Sequence, residues 1–171
     1  MTDVEITSAS SDDRPAIANM MQLYTHDFSD FWRDRTGGEG ELGPDGRFGD
    51  YELDPYWAQP GWDPLLIRVE GRLAGFVLVN PVSHSGEPLD RNVGEFFVAR
   101  KHRRGGVGSA AARAVFKRWP GVWEAAVARR NVGALAFWRE AITGCEGVSE
   151  VRESDVNTEL WNGFIFRFRM G

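Results

Sequence analysis

FFVARKHRRGGVGS, residues 96–109, combines an apolar strand, a basic glycine-rich turn and the start of a helix. A helix N-terminus leaves about four backbone N–H groups without intrahelical partners and carries a partial positive charge, which favours phosphate binding. Glycines clear side chains from the turn, and arginines add charge that pairs with phosphate oxygens; these residues are Arg103, Arg104, Gly105, Gly106 and Gly108. The spacing matches neither the dinucleotide-binding nor the P-loop pattern. We therefore predict a different phosphate-bearing ligand.

Strand and helix patterns alternate on both sides of this stretch. Strand patterns occupy residues 4–6, 65–70, 73–80, 92–98, 122–127, 147–152 and 163–169, and helical spacing occupies residues 17–24, 107–115 and 131–141. The order β-α-β-β-β-α-β-α-β-β predicts an α/β or α+β domain. The helix between strands 92–98 and 122–127 forces that strand pair to be parallel. Gly94, inside its strand, predicts a bulge or a close backbone approach.

The composition describes an ordinary globular protein of 171 residues, 42% hydrophobic, with a formal net charge of −5. We expect one domain over residues 1–171, which is long enough to fold without a disulfide or metal. The lone Cys145 and the lack of a signal or membrane-spanning segment predict a cytoplasmic protein that does not bind membranes. An acidic chain is a poor candidate for binding nucleic acid, and the scattered histidines predict no metal site.

The charge is unevenly distributed along the chain. Residues 27–63 hold ten acidic and three basic residues, whereas residues 99–118 hold seven basic residues and no acid. Single charges in such runs usually lie on solvated faces, but the acidic half is suited to attracting amines. Within it, the glycine-rich segment 36–50 is too long for a simple connection. It runs into the aromatic residues 51–62, which predict a lid or pocket wall.

The basic turn resembles the acetyl-CoA motif of the GCN5-related N-acetyltransferases (GNAT), an Arg or Gln followed by x-x-Gly-x-Gly or Ala. Here it reads Arg-Arg-Gly-Gly-Val-Gly, residues 103–108, and a later Asn-x-x-Ala-x-x-Phe helix matches residues 131–137. The resemblance extends over residues 4–169, and residues 96–141 are its specific part. It implies a mixed, mostly antiparallel central sheet with one parallel, splayed strand pair, flanked by helices.

The resemblance also implies how acetyl-CoA is held as a co-substrate. Backbone N–H groups of the turn and first helical turn, Arg104 to Ser109, would bind the CoA pyrophosphate. The strand Phe96 to Val98 would pair with the pantetheine arm, and Val98 N–H would polarise the thioester carbonyl. Asn131 would meet the pantetheine from the other side, or is a helix cap. The cofactor-binding prediction comprises Phe96, Phe97, Val98, Arg103, Arg104, Gly105, Gly106, Val107, Gly108, Ser109, Asn131 and Trp138.

Transfer of an acetyl group to an amine requires a neutral amine, and we predict Glu95 as the base that takes the proton. Strand alternation places Glu95 on one face with Val93 and Phe97, an apolar setting that raises a carboxyl pKa. The alternative is a carboxylate at a sheet edge or paired with arginine. Many relatives place a Tyr at the position of Trp138, whose indole N–H donates but is no acid. Trp138 packs against either pantetheine or the core.

The acidic, aromatic segment predicts a small cationic primary amine as the acceptor, because carboxylates and aromatic faces both attract ammonium groups. The predicted substrate-binding residues are His26, Asp27, Tyr56 and Trp57. Two alternatives remain: a catalytically silent acyl-CoA-binding or interaction module, and an enzyme that acetylates a protein, a peptide or a charged tRNA. The C-terminal strand also predicts a homodimer, by pairing across a two-fold axis.

Overall fold

The computed structural model describes residues 3–33, 38 and 40–171, and within them seven strands form a single sheet. The strands are β1 (Val4–Ser8), β2 (Asp63–Val69), β3 (Arg72–Asn80), β4 (Arg91–Val98), β5 (Gly121–Ala128), β6 (Val148–Asn157) and β7 (Asn162–Met170). The helices are α1 (Arg14–Ser29), α2 (Pro55–Ala58), α3 (Val107–Phe116) and α4 (Val132–Thr143). Short 3₁₀ turns span Ser11–Asp13, Asp30–Trp32 and Arg100–His102. The predicted element order is confirmed, and α2 is an additional short helix.

The sheet order is β1-β2-β3-β4-β5-β7-β6, and among these neighbours β4 and β5 alone run parallel. Their pairing joins residues 91–93 to residues 123–125 in the described chain. Beyond these positions β4 continues to Val98 and β5 to Ala128, so the two strands separate toward their C-terminal ends. The predicted parallel pair and its splay are therefore confirmed.

Two hydrophobic cores cover the two faces of the sheet. The larger core lies under α3 and α4 and includes Ile67, Val77, Phe116, Trp123, Ile142 and Phe166. The smaller core lies under α1 and α2 and includes Ile17, Met21, Leu66, Phe76 and Leu78. Strand β3 contributes to both cores, which explains its nearly continuous apolar sequence. This layering fixes α1 on one face of the splayed strands and α3 with α4 on the other.

A β-bulge at Gly94 changes which side chains of β4 share a face. Leu78 pairs with Glu95 and the adjacent Val79 pairs with Val93, so Gly94 is the extra residue. A Cβ at Gly94 would lie 2.4 Å from the Asn80 side chain. The bulge prediction is confirmed, but the predicted common face of Val93 and Phe97 is wrong. The extra residue breaks the alternation, so Val93 packs in the larger core and Phe97 in the smaller one.

The C-terminal strand lies inside the sheet. β7 pairs with β5 on one side and with β6 on the other. Its backbone is therefore already hydrogen-bonded on both edges, and the predicted pairing of β7 across a two-fold axis is wrong. The homodimer itself stays a prediction. No helix in the described residues has the length and apolarity needed to cross a membrane.

Candidate active site

The separation of β4 and β5 opens a cleft of about 1550 Å³. Its walls come from both strands, α1, the start of α3, α4 and the turn between β6 and β7. The hydrogen-bond register decides which backbone groups of β4 face it. Ala99 N–H donates to Ala74 O at 2.8 Å, and Phe97 pairs with Phe76. Because backbone direction alternates, the N–H groups of Phe96 and Val98 point toward the cleft.

The glycine turn forms one end of the cleft. Gly106 adopts φ of +80° and Arg104 φ of +64°, and α3 begins at Val107. The first hydrogen bond of α3 runs from Ala110 N–H to Gly106 O at 3.0 Å. Helix geometry therefore leaves the N–H groups of residues 107–109 directed out of the helix end. No described atom lies within 4 Å of a Cβ built at Gly105 or Gly106, so this cradle has room for a pyrophosphate.

Gly108 serves helix packing. A Cβ at Gly108 would lie 3.0 Å from the ring of Phe137 on α4. The glycine therefore allows α3 to approach α4 closely at the cleft, while its backbone N–H remains part of the helix end. Ser109 follows it and also lines the cleft.

Arg103 connects the turn to α1 through hydrogen bonds. Its Nε donates to Val98 O at 2.6 Å, and its guanidinium also binds the carboxylate of Asp27. Arg100 binds the same carboxylate at 2.7 Å. Burial disfavours ionisation of Asp27, but the hydrogen bonds from Arg103 and Arg100 outweigh it and hold its pKa below the usual value. Asp27, predicted to bind the amine, is thus already engaged by two guanidinium groups, which argues against that role.

Aromatic side chains and a capped helix form a further wall of the cleft. Trp138 is buried in the larger core, with its ring 5.1 Å from that of Phe96, and it also lines the cleft. The two alternatives for Trp138, core filling and contact with pantetheine, are therefore compatible. The side chain of Asn131 accepts from Ala134 N–H at 3.2 Å, so Asn131 is a helix cap that also borders the cleft.

Glu95 lies in the cleft among tyrosine hydroxyls. Tyr24, from α1, and Tyr51, from the segment before α2, both hydrogen-bond its carboxylate. Burial, and secondarily the Glu95 charge, raise the pKa of both phenols above their usual value. Both therefore stay protonated as donors to Glu95. The sequence carried no signal for this contact, because α1 and residue 51 meet Glu95 through tertiary packing.

Tyr56 and Trp57 lie behind the cleft wall. Tyr56 is buried, and its hydroxyl accepts a hydrogen bond from Asn80 at 3.0 Å. Trp57 donates to Ala9 O at 3.2 Å and packs against the smaller core. In the described chain neither residue lines the cleft, so the structure does not bring them to the predicted amine site. His26 does line the cleft, and it is exposed.

A polar cluster that sequence reasoning missed holds the β3–β4 loop. Glu124 of β5 is fully buried and accepts from His84 N–H at 2.9 Å and from Arg167 at 2.8 Å. The hydroxyl of Ser85 also donates to it. The imidazole of His84 lies against Trp161, with ring centroids 4.7 Å apart, and borders the cleft. The sequence signal that could have indicated this cluster was a single Glu within an otherwise apolar strand pattern. Within the described residues no group of three His, Cys, Asp or Glu side chains forms a potential metal site.

Burial of His84 makes the folded protein less stable at mildly acidic pH. Burial lowers its pKa from the usual 6.5, although Glu124 opposes this shift. The unfolded chain then binds the proton more readily, so stability is complete above about pH 6.5 and falls as the pH drops below it toward the folded-state pKa. We expect His84→Gln to lose less stability than the native protein between pH 7 and pH 5.5. Thermal melts across this range measure the difference, and parallel curves for both proteins would contradict the expectation.

Splayed strands beside an open helix end and a carboxylate form a cleft suited to a phosphate-bearing ligand and to proton transfer. The model of the Acetyltransferase (GNAT) family matches residues 17–142, more than half of the chain. The chain therefore belongs to the GNAT family, and it is an N-acetyltransferase with acetyl-CoA as co-substrate. No curated protein sequence matches this chain significantly.

Solved structures share the fold at low sequence identity. An acetyltransferase from Thermus thermophilus is 14% identical with a TM-score of 0.61, covering 98% of this chain and 97% of its own. The PaiA N-acetyltransferase from Thermoplasma acidophilum, in complex with coenzyme A, is 14% identical with a TM-score of 0.55, covering 96% and 98%. The ribosomal-protein-S18-alanine N-acetyltransferase from Escherichia coli is 14% identical with a TM-score of 0.51, covering 98% and 93%. These similarities support the fold.

Proposed function

We propose that residues 1–171 act as one domain that transfers the acetyl group of acetyl-CoA to a small primary amine by direct attack. The observation that carries this proposal is the position of Glu95 in the cleft between the splayed strands, beside backbone N–H groups of β4. The open turn at Gly105 and Gly106 supports pyrophosphate binding there, with Arg104 adding charge. The outward N–H of Val98 is suited to the thioester carbonyl.

The reaction needs one base and no protein acid. Glu95 takes a proton from the amine, whose nitrogen then attacks the thioester carbonyl carbon. The C–N bond forms, the C–S bond breaks, and CoA leaves as the thiolate, a stable enough leaving group at neutral pH. The second proton that the nitrogen loses as the amide forms passes to this thiolate or to solvent. Tyr24 and Tyr51 keep their protons and hold the carboxylate in position. The indole of Trp138, in place of a Tyr, supplies no proton.

Acetyl-CoA binding is tested by changing the glycine turn. Gly105 has open space for a side chain and, unlike Gly106, lacks a positive φ. We expect Gly105→Glu to weaken acetyl-CoA binding at least tenfold, because its carboxylate repels the pyrophosphate. Ligand at 100 times its dissociation constant stabilises a protein by about 2.7 kcal/mol, so the native midpoint should rise by several degrees.

Gly105→Ala is the matched control for this experiment. It adds a Cβ without charge and should retain most of the thermal shift, whereas Gly105→Glu should lose it while melting near the native temperature without ligand. An unchanged shift in Gly105→Glu would show that the turn does not hold the pyrophosphate.

The acceptor is tested with a panel of amines and peptides under saturating acetyl-CoA. Acetylation of small amines supports the proposal. Binding of acetyl-CoA without turnover on any acceptor would instead indicate a silent acyl-CoA-binding module. Turnover confined to peptide or protein amines would indicate the activity named for the structural neighbour from Escherichia coli.

A further inference from the structure

Aromatic rings line the acceptor side of the cleft on two walls. One wall, here called the α1 wall, consists of α1 and the 3₁₀ turn Asp30–Trp32 that follows it. On this wall the ring centroids of Tyr24 and Phe28 lie 4.6 Å apart, and those of Phe28 and Phe31 lie 5.6 Å apart. On the opposite wall, Trp161 of the β6–β7 turn packs edge-on against His84. The Trp161 indole donates to Val127 O at 3.3 Å, which fixes this ring over the end of β5. All of these rings border the cleft that contains Glu95.

These rings are not needed to fill the protein interior. Among the described residues, Phe28, Phe31 and Trp161 belong to neither hydrophobic core, and each is half-buried. Half-buried rings that face one cleft from two elements leave apolar surface available to a ligand. Covering such surface favours a ligand with an apolar or aromatic group of its own.

Most of the described acidic residues that suggested a cationic acceptor are already paired with arginines. Five described carboxylates of the acidic segment each bind an arginine: Asp27, Asp30, Asp50, Asp54 and Asp63. Three of them, at positions 27, 30 and 50, are the ones that border the cleft. Arg33 and Arg100, the partners of Asp30 and Asp27, border it as well, so these pairs offer little net negative charge to a second ammonium group. Glu140 also borders the cleft, but it lies on α4, which packs beside the start of α3. Glu95 is therefore the carboxylate that would meet one ammonium group on the acceptor side.

We infer that the acceptor is a primary amine with a single ammonium group and an aromatic or similarly bulky apolar group, which lies between the α1 wall and Trp161. This inference rests on the proposed acetyl transfer to a small amine. Placed in this way, the amine nitrogen lies toward Glu95 and the apolar group displaces water from the rings. Linear polyamines lack the group that would cover this surface.

The test compares kcat/KM for 2-phenylethylamine, n-butylamine and spermidine at saturating acetyl-CoA. We expect 2-phenylethylamine to exceed both of the others at least tenfold. Phe28→Ala and Trp161→Ala should each lower the ratio of kcat/KM for 2-phenylethylamine over n-butylamine severalfold. Leu160→Ala is the control, because Leu160 is an exposed neighbour of Trp161 outside the cleft lining and should leave the ratio unchanged.

The outcomes separate the inference from the proposed function. The inference is overturned if kcat/KM for spermidine or n-butylamine equals that for 2-phenylethylamine. It is also overturned if neither aromatic substitution changes the ratio of kcat/KM. In both cases acetyl transfer to small amines still stands. Acetylation of peptides alone, or of no acceptor despite acetyl-CoA binding, would overturn the proposed function and the inference with it.

Discussion

Replacing Glu95 with Gln should lower kcat for amine acetylation at pH 7 by about a hundredfold or more. General bases contribute roughly 10²–10⁴-fold, and glutamine has no proton affinity to offer the ammonium group. Gln retains the shape and an oxygen that accepts from the hydroxyls of Tyr24 and Tyr51. The dissociation constant for acetyl-CoA should therefore change little. Steady-state rates and a binding titration measure the two quantities separately.

The pH profile distinguishes a base from a positioning residue at this site. If Glu95 removes the proton, the rate of Glu95→Gln should climb with pH as the amine loses its proton to solvent, and the deficit should shrink in alkali. Tyr51→Phe is the control, because it removes one donor to Glu95 and keeps the carboxylate. We expect it to lower kcat only severalfold. Native rates in Glu95→Gln at pH 7 would remove Glu95 from the mechanism.

Replacing Glu124 with Ala should lower the free energy of unfolding by about 3–5 kcal/mol, the usual cost of breaking a buried ion pair. The carboxylate is fully buried, and Arg167, whose side chain is 15% exposed, would lose this 2.8 Å ion pair and keep only the longer one to Glu87 at 3.5 Å. The backbone N–H of His84 would also lose its acceptor. For a chain of this size the melting midpoint should fall by roughly 10 °C.

Two further variants show whether charge or hydrogen bonding is responsible for the loss. Glu124→Gln keeps an acceptor for the loop but removes the negative charge. Its free energy of unfolding should lie between those of the native protein and Glu124→Ala. Combining Glu124→Ala with Arg167→Met removes both charges and should recover part of the stability. A Glu124→Ala midpoint within about 1–2 °C of the native value would show that the buried pair is not structurally important.

Much of the fold, and the turn that forms one end of the cleft, was predictable from local patterns. The basic turn, the two helices after it and the parallel strand pair follow from spacing over a few residues, since turns and caps depend on adjacent backbone. Gly94 predicted the bulge for the same reason. Helix α2 was missed because four residues are too few to show a helical period.

The part of the cleft around Glu95 and α1 depends on contacts between distant parts of the chain. The sequence could propose Glu95 and the acidic segment, but no local pattern states that Arg103 binds Asp27, 76 residues away. The same holds for the tyrosines at Glu95 and for His84 beside Glu124.

The sequence alone determined where strands, helices and the basic glycine-rich turn lie, because backbone preferences and apolar periodicity act over a few residues. The tertiary structure decided which charges are already paired, which aromatic rings face the cleft, and that β7 lies inside the sheet. Those features depend on which elements pack together, and the Gly94 bulge shows how one extra residue reassigns the faces of a strand.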